Sequence, residues 1–232
     1  MPRFVKGAIP SPNIWNTPHV YELENRAVDP EGRAGTAMAA VRPLAGATVL
    51  DVGCGTGYHL PALSAEAARV IGVEPHADLV ELARRRCRAL PGVEVRTGTA
   101  QALPLPDASV DVAVARWAYF FGPGCEPGLA ELTRVLRRGG TAFVVDVDAS
   151  RGDFGRWFRR SIPSYSPQAV ADFWVRQDWQ AQPLDLRMAF ERRADLEAVL
   201  RIEFTPEVAA QAAAETPGLE IAYPNVLRWK HF

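Results

Sequence analysis

The chain has 232 residues, enough for one domain with elaborations and a large buried core. Lysine and arginine number 26 against 27 acidic residues, a net charge of −1, so no global field draws the chain to nucleic acid or to an anionic membrane. With 48% hydrophobic and 23% charged residues it is not a disordered chain, and Cys54, Cys87 and Cys125 are too scattered for a zinc ribbon or a disulfide framework. The N-terminal stretch has no apolar signal region, and no apolar run reaches the ~18 residues of a membrane span, so a soluble cytoplasmic protein without a membrane partner is expected. Lysine occurs only at Lys6 and Lys230, which reads as the codon bias of a GC-rich bacterial genome.

Residues 1–33, rich in proline and asparagine, read as an irregular arm, followed by a helix over 35–41. From Ala47 the pattern becomes regular: TVLDVG is a short apolar run ending in glycine, and YHLPALSAEAA is a helix with Leu60, Leu63 and Ala67 on one face. RVIGVEP and HADLVELARRRCRAL repeat the unit, and VEVRTG is a third strand. SVDVAVARW is too continuously apolar for a half-exposed strand and suits the centre of a parallel sheet. The helix EPGLAELTRVLRR is expected to stop at Gly139 and Gly140, with the strand TAFVVDVD next. Beyond Asp148 come an aromatic-rich stretch, a strand at LDLRMAF, two helices at RADLEAVLRIEF and PEVAAQAAAE, and a last strand, LEIAYPNVLRWKHF. This alternation predicts a doubly wound, mostly parallel, seven-stranded α/β sheet with aromatic-rich insertions. Three regions follow: an arm and helix over 1–46, a Rossmann-like core over 47–148, and an insertion with sheet-completing strands over 149–232.

The informative segment is LDVGCGTG, residues 50–57, where the first strand turns into the first helix. Glycines there permit positive φ and bring backbone N–H groups toward a ligand. A dinucleotide fingerprint, GxGxxG, needs a small residue at position 58, where this chain has Tyr58, and the phosphate-gripping GxxxxGK[ST] loop is absent. Asp51, just before the loop, disfavours a pyrophosphate and suits a ligand carrying an ammonium or sulfonium.

LDVGCGTG, VIGVEP, GTAQALPLPDASVDVAVA and LAELTRVLRRGG, in that order and spacing, resemble the motifs of class I S-adenosylmethionine-dependent methyltransferases over residues 47–148. The resemblance implies that Gly53, Gly55 and Gly57 meet the methionine end of S-adenosylmethionine, with Asp51 supporting it, and that Glu74 accepts hydrogen bonds from both ribose hydroxyls. Cys54 and Pro75, beside those positions, join the expected contacts. Where the family commonly has an adenine-binding Asp this chain has Thr99, leaving the backbone of Ala100 or the side chain of Gln101 as substitutes.

Methyl transfer from a sulfonium is an in-line displacement, so alignment and exclusion of water matter more than a base. Among four histidines, His19 in the covering arm is the first candidate for one, ahead of His59 and His76. The fourth strand delivers Arg116, Trp117, Tyr119, Phe120 and Phe121 to the sheet edge where ligands bind. Arg116 and Tyr119 are candidates for the catalytic pocket, Arg116 also for cofactor contact, with Phe120 or Phe121 expected in the core. No His, Asp or Glu cluster has metal-ligand spacing. Trp157, Phe158, Tyr165, Phe173, Trp174 and Trp179 suggest a lid over an apolar or aromatic small-molecule acceptor, or else a homodimer interface. The basic run Arg84–Arg88 reads as a solvated helix face, not a nucleic-acid site. An RNA or protein methyltransferase and a non-catalytic cofactor-binding module are the alternatives.

Overall fold

The computed structural model describes residues 4–232; Met1, Pro2 and Arg3 of the expected arm lie outside it. One seven-stranded sheet runs in the order β3-β2-β1-β4-β5-β7-β6. Its strands are β1 (Thr48–Val52), β2 (Arg69–Glu74), β3 (Val93–Thr97), β4 (Val110–Arg116), β5 (Leu136–Val147), β6 (Gln180–Ala189) and β7 (Glu220–His231). The first five pair in parallel, whereas β7 runs antiparallel to both β5 and β6. The predicted strands and fold class are all present.

The alternating faces of the strands feed two cores. β1 sends Val49 to one and Leu50 and Val52 to the other, and β5 likewise splits Phe143 and Val145 from Ala142 and Val144. On the first face pack α3 (Arg33–Val41), α4 (Leu60–Glu66), α5 (Ala77–Cys87), α7 (Gly152–Ser161), α9 (Arg193–Glu203) and α10 (Pro206–Glu215). On the second lie α6 (Glu126–Val135) and α8 (Pro167–Arg176). Sheets covered on both faces need the continuously apolar strands that the sequence shows.

Three parts differ from the sequence expectation. The arm is helical, with α1 (Pro12–Asn16) and α2 (Pro18–Ala27), each carrying a proline in its first turn after Ser11 or Thr17. That is the position at which proline lacks nothing a helix needs, and reading it as a breaker hid both elements. Second, α6 ends at Val135, and Leu136, Arg137 and Arg138 already belong to β5. The double glycine therefore shapes a strand irregularity. Gly139 takes φ +80, and a Cβ on Gly140 would sit 2.8 Å from the Arg137 carbonyl and 3.1 Å from that of Asp111. Third, the aromatic residues after Asp148 are structural. Trp157 packs in the first core, with its indole donating to Glu215 at 2.7 Å, and Phe173, Trp174 and Trp179 fill the second.

The arm docks through α2 against α9, where Glu24 is buried beside Glu203 and the side chain of Asn13 donates to Glu203. Burial raises both carboxyls, Glu203 to about 7, and Tyr21 and Tyr223 share their surroundings. An acid whose folded pKa is raised stabilises the fold most fully below its unfolded value and loses that contribution as pH climbs toward the folded one. The α2–α9 contact should accordingly weaken between about pH 4.5 and pH 7. Amide exchange in α1 and α2, corrected for intrinsic rate, is expected to be faster at pH 7.5 than at pH 5.5, with Glu203→Gln reducing the difference; an unchanged profile in the wild type would disprove it.

Candidate functional site

β1 and β4 are neighbours whose onward connections run to opposite sides of the sheet, so a crevice opens beyond their C-terminal ends. The loop after β1 and the segment after β4 form its two walls. Gly53 and Gly55 take φ +73 and +54; a Cβ on Gly53 would lie 2.6 Å from that of Ala118, and one on Gly55 2.7 Å from Ile14 Cδ1. Only a chain without side chains at these positions leaves the crevice open. Gly57, also at positive φ, does not line it: a Cβ there would meet Ala83 of α5 at 2.9 Å, so its role is helix packing.

The loop's N–H groups point inward rather than at a ligand. Gly53 and Cys54 donate to the Val73 carbonyl at 2.8 and 3.1 Å, Gly55 to Glu74 Oε2 at 3.1 Å, and Gly57 to the Cys54 carbonyl at 2.8 Å. Contrary to expectation these four donors do not face a ligand: β2 takes those of Gly53, Cys54 and Gly55, and the loop itself takes that of Gly57. The same fact argues against an anion held in the manner of a phosphate loop.

Glu74 is buried at the end of β2, and its second oxygen accepts from the N–H of His76 at 3.0 Å. Each oxygen keeps one lone pair, which suits a vicinal diol. Burial pushes this carboxyl to about 7, while the two N–H bonds pull the other way. Asp51 is also buried and sits behind the lining rather than in it; burial raises its carboxyl to about 6 against the opposing pull of Arg116.

The remaining wall comes from Thr99, Ala100 and Gln101 after β3, from Pro75, and from the arm. Val5 donates to the Pro75 carbonyl at 3.0 Å, and Trp15 is sandwiched between Phe4 and His76 with ring centroids 5.0 Å from each. The arm thus forms one wall of the crevice. Its contribution is Tyr21 and Asn25, one turn apart on the inner face of α2, and not His19, which is exposed and lines neither of the two cavities described here. His59 instead lines both, and burial together with Arg116 and Arg86 holds its imidazole well below the usual range, hence neutral.

After β4, Trp117 and Tyr119 both adopt positive φ, +48 and +55, a strained path that turns Arg116, Trp117, Tyr119 and Phe121 toward the crevice while Phe120 packs in the core. Trp117 is fixed by its indole N–H, which donates to Asn225 Oδ1 at 2.8 Å, and by stacking on Tyr223. The basic run on α5 is not merely solvated: Arg86 bonds the Thr56 carbonyl at 3.0 Å and pairs with Glu22 of α2 at 2.7 Å, clamping loop and arm together. Among the described residues no group of three or more His, Cys, Asp or Glu could hold a metal ion, and no helix is long and apolar enough to cross a membrane.

Comparison with known proteins agrees with this geometry. The family model described as a methyltransferase domain matches residues 50–144. Residues 50–144 are a class I methyltransferase domain. The methyltransferase YcgJ of Bacillus subtilis is 33% identical over 100 residues, 42% of this chain and 40% of that protein. A demethylmenaquinone methyltransferase of Clavibacter sepedonicus is 34% identical over 153 residues, 62% of each. The chain thus spans less than two thirds of the length of these curated relatives. The crystal structure of YcgJ superposes with a TM-score of 0.63 at 20% identity, covering 87% of this chain and 98% of that one, with the fold in common. The family's cofactor is S-adenosylmethionine, and the open glycine edge, the buried Glu74 and the bonding of the Gly53, Cys54 and Gly55 N–H groups to β2 fit it.

Ribose hydroxyls donating to Glu74 favour its charged form, so cofactor binding should release a proton. The affinity for S-adenosylhomocysteine is expected to rise up to about tenfold between pH 6 and pH 8, and Glu74→Gln to flatten the curve. A wild-type affinity independent of pH in calorimetry would contradict the diol role.

Proposed function

We propose that the protein is a methyltransferase that moves the methyl group of S-adenosylmethionine to a small, apolar or aromatic acceptor by in-line displacement. The observation that carries this reading is the glycine loop with its side-chain-free edge toward the crevice and its N–H groups bonded to β2. A pyrophosphate would find the N–H groups of Gly53, Cys54 and Gly55 already bonded to β2 and the carboxyl of Glu74 beside them. Bound S-adenosylmethionine supplies an electrophilic methyl on a sulfonium centre.

The chain's own residues do the rest. Glu74 takes the ribose hydroxyls; Thr99, Ala100 and Gln101 border the adenine; and Gly53 and Gly55 give room for the methionine end, with Cys54 and Pro75 alongside. Asp51 contributes negative charge from behind the lining. Trp117 and Tyr119 present ring surface near the expected methyl position, where aromatic faces stabilise a sulfonium and exclude water. The arm closes the crevice over the cofactor.

Titration calorimetry with S-adenosylmethionine, S-adenosylhomocysteine and NADH tests the reading, with micromolar binding expected for the first two alone. Gly55→Arg should abolish it, and Glu74→Ala should weaken it by about 1–3 kcal/mol through lost charge-assisted hydrogen bonds. Equal affinity for all three ligands, or undiminished binding by both variants, would overturn the assignment.

A further inference from the structure

A second cavity, of about 460 Å³, opens between α3 and α4 on the face of the sheet that carries Arg116. That volume lies in the range of sites for small organic ligands. Its floor is apolar, made by Met38 and Leu63 of the two helices and Val114 of β4, while His59, Arg116 and Trp117 form a wall shared with the cofactor crevice. The two cavities therefore meet at the end of β4, where the methyl group is to be handed over.

Arg116 is the unusual member of that wall. Its Nε is buried with no hydrogen-bond partner, and no carboxylate among the described residues hydrogen-bonds its guanidinium. The carboxylates that act on it are Asp51 and Asp29. Asp29 is committed elsewhere, accepting from the backbone N–H groups of Arg33 and Ala34 at 2.8 and 2.9 Å at the start of α3. A guanidinium stays charged and offers five donors in a planar fork, for which a carboxylate is the matching partner. Left without one in a half-buried place, it is a costly group with no structural return.

α3 shows a second feature with no packing explanation. Gly35 lies in the first turn of this helix at the exposed rim of the cavity, and a Cβ placed on it would touch nothing within 4 Å. No close contact demands it here, and what its missing side chain preserves is the open space.

We propose that the second cavity is the acceptor chamber and that the acceptor is a small carboxylic acid, its carboxylate received by Arg116 and its apolar body lying against α3 and α4. The inference rests on the methyltransferase reading and narrows it to a substrate class. The cofactor also ends in a carboxylate, but the amino-acid end of one ligand does not account for a chamber with an apolar floor on the far side of Arg116.

The test uses the full chain saturated with S-adenosylhomocysteine, titrated with benzoate, 3-phenylpropionate and octanoate and with the corresponding neutral amides. At least one carboxylate is expected to bind tenfold or more tightly than its amide. Arg116→Gln should remove that preference while keeping the affinities for S-adenosylhomocysteine and for methylthioadenosine, which lacks the amino-acid end, within about twofold. Gly35→Phe, which places a bulky ring at the chamber wall, should lose carboxylate binding and keep both nucleosides. Loss of S-adenosylhomocysteine but not methylthioadenosine in Arg116→Gln would assign Arg116 to the cofactor's own carboxylate and overturn the proposal, as would a wild type that binds none of the carboxylates in preference to its amide. A wild type that fails to bind S-adenosylhomocysteine at all would instead sink the underlying methyltransferase reading.

Discussion

The carboxylate of Glu74 is the hinge on which the site is built. It lies buried at the end of β2 and accepts one N–H from the glycine loop of β1 and another from the start of α5. The glycine loop is thereby held against the turn that joins β2 to α5. Because a buried carboxylate is costly unless its lone pairs are used, the same group that fixes the loop is left with capacity that a ligand's hydroxyls can satisfy. Positioning and recognition are two aspects of one desolvated charge.

The consequences spread through the loop. With its N–H groups drawn toward β2, the loop can pass close to the crevice only if it bulges at positive φ without side chains, which is what Gly53 and Gly55 provide. The third glycine serves a different neighbour, letting α5 approach through Ala83. Behind the loop, Arg86 and Glu22 tie it to the arm, so that closing the arm and shaping the loop are mechanically linked. The strained turn after β4 supplies the opposing wall, and its cost is offset by the fixed indole of Trp117 and by Phe120 in the core.

The sheet was legible because its strands are buried on both faces and read as unbroken apolar runs, and the cofactor edge because glycine and acid at a strand end have few other uses. Less legible were features that depend on which face of a helix meets which neighbour. Ser11-Pro12 and Thr17-Pro18 carried the helix signal of the arm, yet the proline content masked it. His19 drew attention by its chemistry, but α2 turns Tyr21 and Asn25 inward instead, and His59 takes the place at the junction. Arg138 before Gly139 and Gly140 looked like a helix end, whereas pairing with β4 had already begun at Leu136. The aromatic residues after Asp148 looked like pocket surface; neither cavity contains any residue beyond Phe121, since two helices there need those rings as core. The second cavity, formed by packing between α3 and α4, has no sequence signature.

Where a nucleoside settles in the crevice decides the role of Glu74. A crystal structure of the complex with S-adenosylhomocysteine tests this most directly. Both ribose hydroxyls should lie within hydrogen-bond distance of Glu74, with the adenine against Thr99, Ala100 and Gln101 and the sulfur near Gly53 and Ala118. A ribose turned away from Glu74, or a nucleoside bound outside this crevice, would contradict it.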